Sequence, residues 1–263
     1  MELDDAYSNG AYIENAESYP PRWAASAEDF RNAVRARSKL DVPYGEGARE
    51  CYDLFMPEGT AKGLMIFVHG GYWIAFDKSS WSHLAVGALA HGYAVAMPSY
   101  DLCPDVRIAD ITQQIAAAIT AIAAEINGPI SLAGHSAGGH LVARMLDRRL
   151  LPDMVGARIA SVVPISPLAD LRPLLRTSMN GKFKLDAASA ATESPVDMED
   201  RYPAEVTVWV GGEERPAFLD QAVWLTEAWG ADHVIALGKH HFNVIEPLAD
   251  PESDLVAVLV RPS

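Results

Sequence analysis

The tightest constraint on this chain is the run Ile130-Ser131-Leu132-Ala133-Gly134-His135-Ser136-Ala137-Gly138-Gly139-His140-Leu141. It passes from an apolar stretch of strand length, through a glycine-flanked serine, into the start of a helix. A serine in so tight a strand-to-helix turn is forced toward an uncommon backbone conformation, and the residues two positions away on either side must lack bulk. Gly134 and Gly138 meet that need. The turn would lift the Ser136 hydroxyl above the carboxyl edge of a sheet. There the Ala137 N–H, at the positive end of the helix, would face any developing negative charge. Five residues with two glycines also occur as plain turns, so the motif becomes chemistry only if the chain supplies Ser136 with partners.

Beside this turn, apolar or alternating runs predict strands at 50–56, 63–68, 93–98, 158–165, 206–210 and 233–237. Helical patterns fall at 79–91, 108–126, 216–229 and 251–260. Parallel strands need long crossovers, so this alternation predicts an α/β chain with a mostly parallel central sheet and helices on both faces. Nothing repeats, and no linker divides the 263 residues, so 1–263 reads as a single domain. Residues 1–40 form an N-terminal arm containing Pro20-Pro21 and a helical stretch from Ala27 to Ser38 that Ser26 could cap. Residues 166–203 are irregular apart from a helical piece near Leu185 to Ala191, and are long enough to act as a lid or pocket wall.

Thirty-five acidic residues against 21 basic ones give a net charge of −14. Such a surface repels phosphate backbones and anionic lipid, so neither nucleic acid nor membrane is expected as a partner. A small-molecule substrate is expected instead, with a homodimer as an open option. The first residues lack a basic start and an apolar core, and no later run reaches the ~18 apolar residues of a membrane span, so a cytoplasmic protein is expected. Cys51 and Cys103 are far apart and read as free thiols. No His–Cys spacing or HExxH pattern calls for a metal, and no cofactor is expected.

An activated serine needs a base, an acid to orient it and donors for an oxyanion. Gly238-Lys239-His240-His241-Phe242 follows the last expected strand. Adjacent loop residues point in different directions, so one histidine reaches Ser136; His241 is the first choice and His240 the second. Val210-Gly211-Gly212-Glu213-Glu214 follows the preceding strand, and its glycines let a carboxylate turn back toward an imidazole. Glu214 is preferred there, with Glu213 as the alternative. His69-Gly70-Gly71-Tyr72-Trp73 follows the first central strand, where side-chain-free amides could approach a substrate alongside Ala137. Tyr72 and Trp73 would then serve as an aromatic wall for substrate or as packing for the loop.

With these pieces assembled, the chain resembles the kynurenine formamidase (arylformamidase) branch of the esterase/lipase α/β-hydrolases. The resemblance rests on VPYGEGARECYDLFMP at 42–57, HGGYW at 69–73, SYDLCP at 99–104, GHSAGGHL at 134–141, SPLADLRPL at 166–174 and HHF at 240–242, and covers most of the chain from about Asp41. GHSAGG and HGG are shared by many esterases; HGGYW with the DLRP segment is narrower. The resemblance implies the α/β-hydrolase fold, Ser136 as nucleophile, His241 as base and acid, and the N–H groups of Gly70, Gly71 and Ala137 as oxyanion hole. Many members carry Asp where this chain has Glu213-Glu214; matching Pro216 and Phe218 downstream favours Glu214. It further implies hydrolysis of an aryl formamide such as N-formylkynurenine through an acyl-enzyme; with that substrate, Asn180 and Arg172 in the 166–203 segment could contact the polar tail. A short-chain carboxylesterase or thioesterase is the alternative, and a non-catalytic binding protein of the same fold is the alternative of a different class.

Overall fold

The computed structural model describes residues 1–260. Eight strands, β1 Ser38–Pro43, β2 Cys51–Phe55, β3 Leu64–Val68, β4 Ala94–Pro98, β5 Ile130–His135, β6 Ile159–Ile165, β7 Glu205–Gly211 and β8 Asp232–Ala236, form one sheet. Their order is β1-β2-β4-β3-β5-β6-β7-β8; β1 and β2 run antiparallel to their neighbours, and β3 to β8 are parallel. The helices are α1 Tyr19–Ala33, α2 Val86–Ala90, α3 Ile108–Glu125, α4 Ala137–Arg144, α5 Asp153–Gly156, α6 Asn180–Phe183, α7 Ala187–Thr192, α8 Pro216–Trp229 and α9 Asp254–Leu259. Every residue of β3, β4 and β5 is buried, as the continuous apolar runs predict for strands covered on both faces.

Apolar spacing explains the covering layers. In α3 the buried side chains Ile108, Ile111, Ile115, Ile119 and Ile122 recur every three or four residues and face the sheet. The Asp110 carboxylate accepts from the Arg107 N–H at 2.8 Å and secures the start of this helix. On the opposite face, Trp23, Trp81, Leu84, Val244, Leu248 and Leu255 pack with Met65, Phe67 and Val95. No helix among the described residues is long and apolar enough to cross a membrane. Cys51 is half-buried, Cys103 is buried, and both are free thiols.

Three expectations need correction. The first helix starts at Tyr19, eight residues before Ala27, because Pro20 and Pro21 lie in the first turn, where no N–H is needed; Ser26 is inside the helix. The chain from Ser38 to Pro43 is a strand rather than helix end, a largely exposed edge strand in which even Leu40 faces solvent. The stretch 79–91 is two 3-10 turns followed by α2, because Trp81 leaves helical geometry (φ −122°) and buries its indole 4.7 Å from that of Trp23. Residues 166–203 fold into short helical pieces that bury Leu168, Leu171, Leu174 and Phe183 in the main core, and Ser178 and Met179 of the same segment line a cavity.

One buried ion pair ties the antiparallel edge to the loop after β3. Lys78, 6% exposed, places its Nζ 2.6 Å from Asp41 and 2.7 Å from Asp53, itself 1% exposed. Removing one partner of such a pair strands the other charge. Lys78→Met is expected to lower the unfolding free energy by about 3–5 kcal/mol, read from urea or thermal unfolding; a change below ~1 kcal/mol would show that Asp53 is not held by this lysine.

Candidate active site

The loops that follow β3, β5, β6, β7 and β8 converge at the carboxyl ends of adjacent parallel strands. In open α/β sheets this edge is where ligands bind. Ser136 sits between β5 and α4 with φ 56° and ψ −114°, a conformation that costs energy in a non-glycine residue. The backbone is held there by Ser136 N–H to Ile165 O at 2.8 Å and His140 N–H to Ser136 O at 3.0 Å. The flanking glycines are explained by close approach. A Cβ on Gly134 would lie 2.1 Å from Gly138 O, and one on Gly138 would lie 2.0 Å from Val68 O. Ala137 opens α4, so its N–H has no acceptor within the helix.

Two turns beyond the serine bring in a carboxylate and an imidazole. Glu214 is 8% exposed and places Oε2 2.6 Å from Nδ1 of His241, which is 4% exposed. The other carboxylate oxygen, Oε1, accepts from the Gly211 N–H at 2.9 Å and from the Ser166 hydroxyl. Three donors therefore surround one buried carboxylate and fix where it points. Glu213, by contrast, is exposed. His240 is engaged elsewhere: its Nε2 lies 3.0 Å from the Tyr19 hydroxyl, and its Nδ1 accepts from the Phe242 N–H at 3.1 Å. Of each pair of alternatives, the structure brings only Glu214 and His241 into contact.

His135 fastens this loop to the strand that carries Ser136. Complete burial pushes its pKa well below the usual imidazole range, with the neighbouring His241 adding to the effect, so the ring is neutral. Its Nε2–H donates to His241 O at 2.9 Å. The His241 ring is packed between Phe218, with centroids 4.4 Å apart, and His135, at 4.7 Å.

Ser136 and His241 face one cavity of about 530 Å³. Gly70, Gly71 and Tyr72 form one side of it; Gly71 has φ +106°, which only glycine adopts without strain. Tyr72 is anchored through its hydroxyl, which donates to Tyr7 O at 2.7 Å. Trp73 is not in the wall: it is fully buried in the core, edge-on to His140 at 5.1 Å and Phe183 at 5.5 Å. Tyr72 and Trp73 both have positive φ, and the chain turns the indole inward. The aromatic lining comes instead from Tyr7, Trp23, Tyr72, Phe76, Trp81 and Phe242. Asn180 and Arg172 are also elsewhere. Asn180 bridges the N–H and carbonyl of Leu185, and Arg172 pairs with Asp170 and Asp197. Among the described residues no three His, Cys, Asp or Glu side chains are grouped closely enough to hold a metal ion.

Two contributors escape sequence reasoning. Ser166, at the end of β6, supports the acid; it opens the SPLADLRPL segment, but no spacing rule links it to a residue 48 positions on. The N-terminal arm covers the cavity with Asp4, Tyr7, Ser8, Asn9 and Gly10, whereas the 166–203 region gives it only Ser178 and Met179. The arm is held down by Ser178 N–H to Asp4 at 2.6 Å, Gln221 Nε2 to the Tyr7 hydroxyl at 3.0 Å and Arg215 to Asp5 at 2.7 Å.

Known proteins share both sequence and architecture with this chain. Residues 65–206 match a family with the alpha/beta hydrolase fold. Kynurenine formamidase from Drosophila melanogaster is 32% identical over 236 residues, covering 81% of this chain and 77% of the relative. The Salmo salar kynurenine formamidase is 30% identical over 243 residues, covering 86% and 82%. A solved structure from Silicibacter sp. TM1040, described as a candidate thioesterase, superposes with a TM-score of 0.98 at 76% identity, covering 98% of this chain and 99% of that one.

The buried histidines around the site imply a pH dependence of stability. Burial depresses the pKa of His69 to about 4 and that of His140 to about 3, whereas an unfolded histidine titrates near ~6.5. The folded state is therefore favoured fully above pH ~6.5. Stability is lost as pH falls toward the folded values, because the unfolded chain takes up protons first. His140→Asn is expected to flatten the loss of stability between about pH 6.5 and pH 4, measured by urea unfolding across that window; a slope identical to that of the unsubstituted protein would contradict a neutral, buried His140.

Proposed function

Since the chain belongs to the α/β-hydrolase family, in its kynurenine-formamidase-like branch, we propose that this hydrolase removes a small acyl group from an aryl formamide such as N-formylkynurenine through a serine-bound intermediate. The observation that carries the reading is the 2.6 Å contact between the buried Glu214 carboxylate and His241 Nδ1, on a ring that shares an aromatic-lined cavity with Ser136.

With Glu214 accepting from Nδ1–H, the free Nε2 of His241 is the basic nitrogen. It takes the Ser136 proton as Oγ bonds to the acyl carbon, and the carbonyl π electrons move to oxygen. The N–H groups of Gly70, Gly71 and Ala137 stabilise that oxygen, and each such donor is typically worth ~3 kcal/mol of barrier. His241 then passes its proton to the departing aryl amine as the C–N bond breaks. Water, deprotonated by the same nitrogen, attacks the acyl-serine; the acyl–Oγ bond breaks, His241 returns the proton to Ser136 Oγ and formate leaves. Glu214 holds the tautomer and stabilises the imidazolium. The cavity's aromatic side chains suit an aryl leaving group.

Hydrolysis of a short-chain ester or thioester uses the same steps, and the Silicibacter neighbour favours keeping it as the second reading. Purified protein offered N-formylkynurenine, p-nitrophenyl acetate and a short acyl thioester should prefer the formamide; ester or thioester turnover without formamide turnover would transfer the assignment to the second reading. Ser136→Ala should abolish activity on all three, and retained activity would remove the serine mechanism.

The acid can be tested separately. Glu214→Gln should lower kcat/KM roughly 10³–10⁴-fold, while Glu213→Gln leaves it within about twofold; the reverse ranking would move the acid by one residue. Ser166→Ala should cost about tenfold in kcat, since a hydrogen bond to a charged group is worth ~1.5–3 kcal/mol. An unchanged kcat would mean that Gly211 N–H and His241 suffice to hold Glu214.

A further inference from the structure

Asn9 stands out among the buried polar side chains. It is 7% exposed, and neither its Nδ2 nor its Oδ1 has a hydrogen-bond partner among the described residues. Burying a carboxamide with both ends unpaired is costly, and native proteins rarely leave one so without a reason. Asn9 precedes the 3-10 turn Gly10–Tyr12, a position where asparagine commonly caps through its side chain, yet here that bond is absent. The turn closes instead through Tyr12 N–H to Asn9 O at 3.0 Å. The carboxamide thus has no structural bond to give up.

Its location supplies the reason. Asn9 lines the active-site cavity together with Ser136 and His241, and also borders the smaller polar chamber of about 250 Å³ behind His241 and Glu214. The backbone carrying it is fixed on both sides: Tyr7 by Gln221 and Tyr72, and Tyr12 by the Arg215 guanidinium 3.6 Å from its ring centroid. A polar group held in place without partners is preorganised for a ligand. The cavity lining contains no lysine or arginine and one carboxylate, Asp4. A purely anionic tail would find no countercharge there, whereas a group offering both a donor and an acceptor would match the two ends of a carboxamide.

We propose that Asn9 is a substrate-binding residue that takes the amino-acid tail of an aryl substrate, its Oδ1 accepting from the ammonium and its Nδ2 donating to the carboxylate. This rests on the hydrolytic reading of the same cavity and adds to it the residue that selects for the tail. A sequence pattern could not reveal it, because Asn9 lies in the arm, outside every motif around the serine.

The test uses two aryl acetates that differ only in the tail, O-acetyl-L-tyrosine and phenyl acetate, so that it does not depend on formamide turnover. The readout is the ratio of kcat/KM for the tailed ester to that for the bare one. The unsubstituted protein should favour the tailed ester, and Asn9→Leu should reduce the ratio at least tenfold, mainly through KM. Asn9→Asp, which keeps the shape, loses the donor and repels a carboxylate, should reduce it as well. A ratio within twofold of the original in both variants would overturn the proposal, as would a protein with no preference for the tailed ester. A general loss of structure lowers both rates together, leaves the ratio in place and so counts against it. If N-formylkynurenine is not cleaved while the ester ratio still collapses, the formamidase reading falls and Asn9 keeps its role.

Discussion

The site depends on one buried carboxylate. Beneath the protein surface the Glu214 carboxylate has the Gly211 N–H, the Ser166 hydroxyl and the His241 ring N–H in place of water. Each donor comes from a different loop at the sheet edge: the ends of β6 and β7 and the segment after β8. The carboxylate therefore joins three connections that would otherwise be independent, and the imidazole it orients faces the cavity of Ser136. His135 adds a second tie, from the strand that carries Ser136 to the His241 carbonyl. The sheet brings these loops together, and the hydrogen bonds fix where each side chain points.

Over this rigid floor lies a cover drawn from sequence-distant residues. The first dozen residues and the start of α1 close the cavity with aromatic and polar side chains, and they are anchored to α8 and to the segment around Ser178. A floor of parallel strands and a cover from the N-terminus divide the labour. The floor carries groups that any acyl transfer would need, while the cover presents surfaces on which substrates can differ. Asn9 belongs to the cover, and so do Tyr7 and Trp23.

Much of the floor was legible in the chain because its chemistry imposes local spelling. The turn at Ser136 forbids a Cβ at positions 134 and 138, and the parallel strands β3 to β5 are apolar on both faces, so both leave continuous signatures. Glu214 and His241 were readable as loop positions after successive strands. Choosing them over Glu213 and His240 needed coordinates, since burial and ring contacts separate neighbours that composition cannot. Trp73 shows the opposite limit: its place in an aromatic pair beside the glycines suggested a pocket wall, but backbone torsions send it into the core. The edge strand β1 and the cover were illegible because the two apolar residues Leu40 and Val42 are too short a signal for an exposed strand and a covering arm is defined by what it touches. Ser166 stayed hidden for the same reason, its partner lying 48 residues away.

The most direct measurement is to trap the covalent intermediate. Protein quenched during turnover of p-nitrophenyl acetate and analysed by peptide mass spectrometry should carry an acetyl group on the peptide containing Ser136, and His241→Ala treated identically should carry none. Turnover with no acetylated peptide, or with the label on a residue other than Ser136, would contradict a serine nucleophile activated by the Glu214–His241 pair.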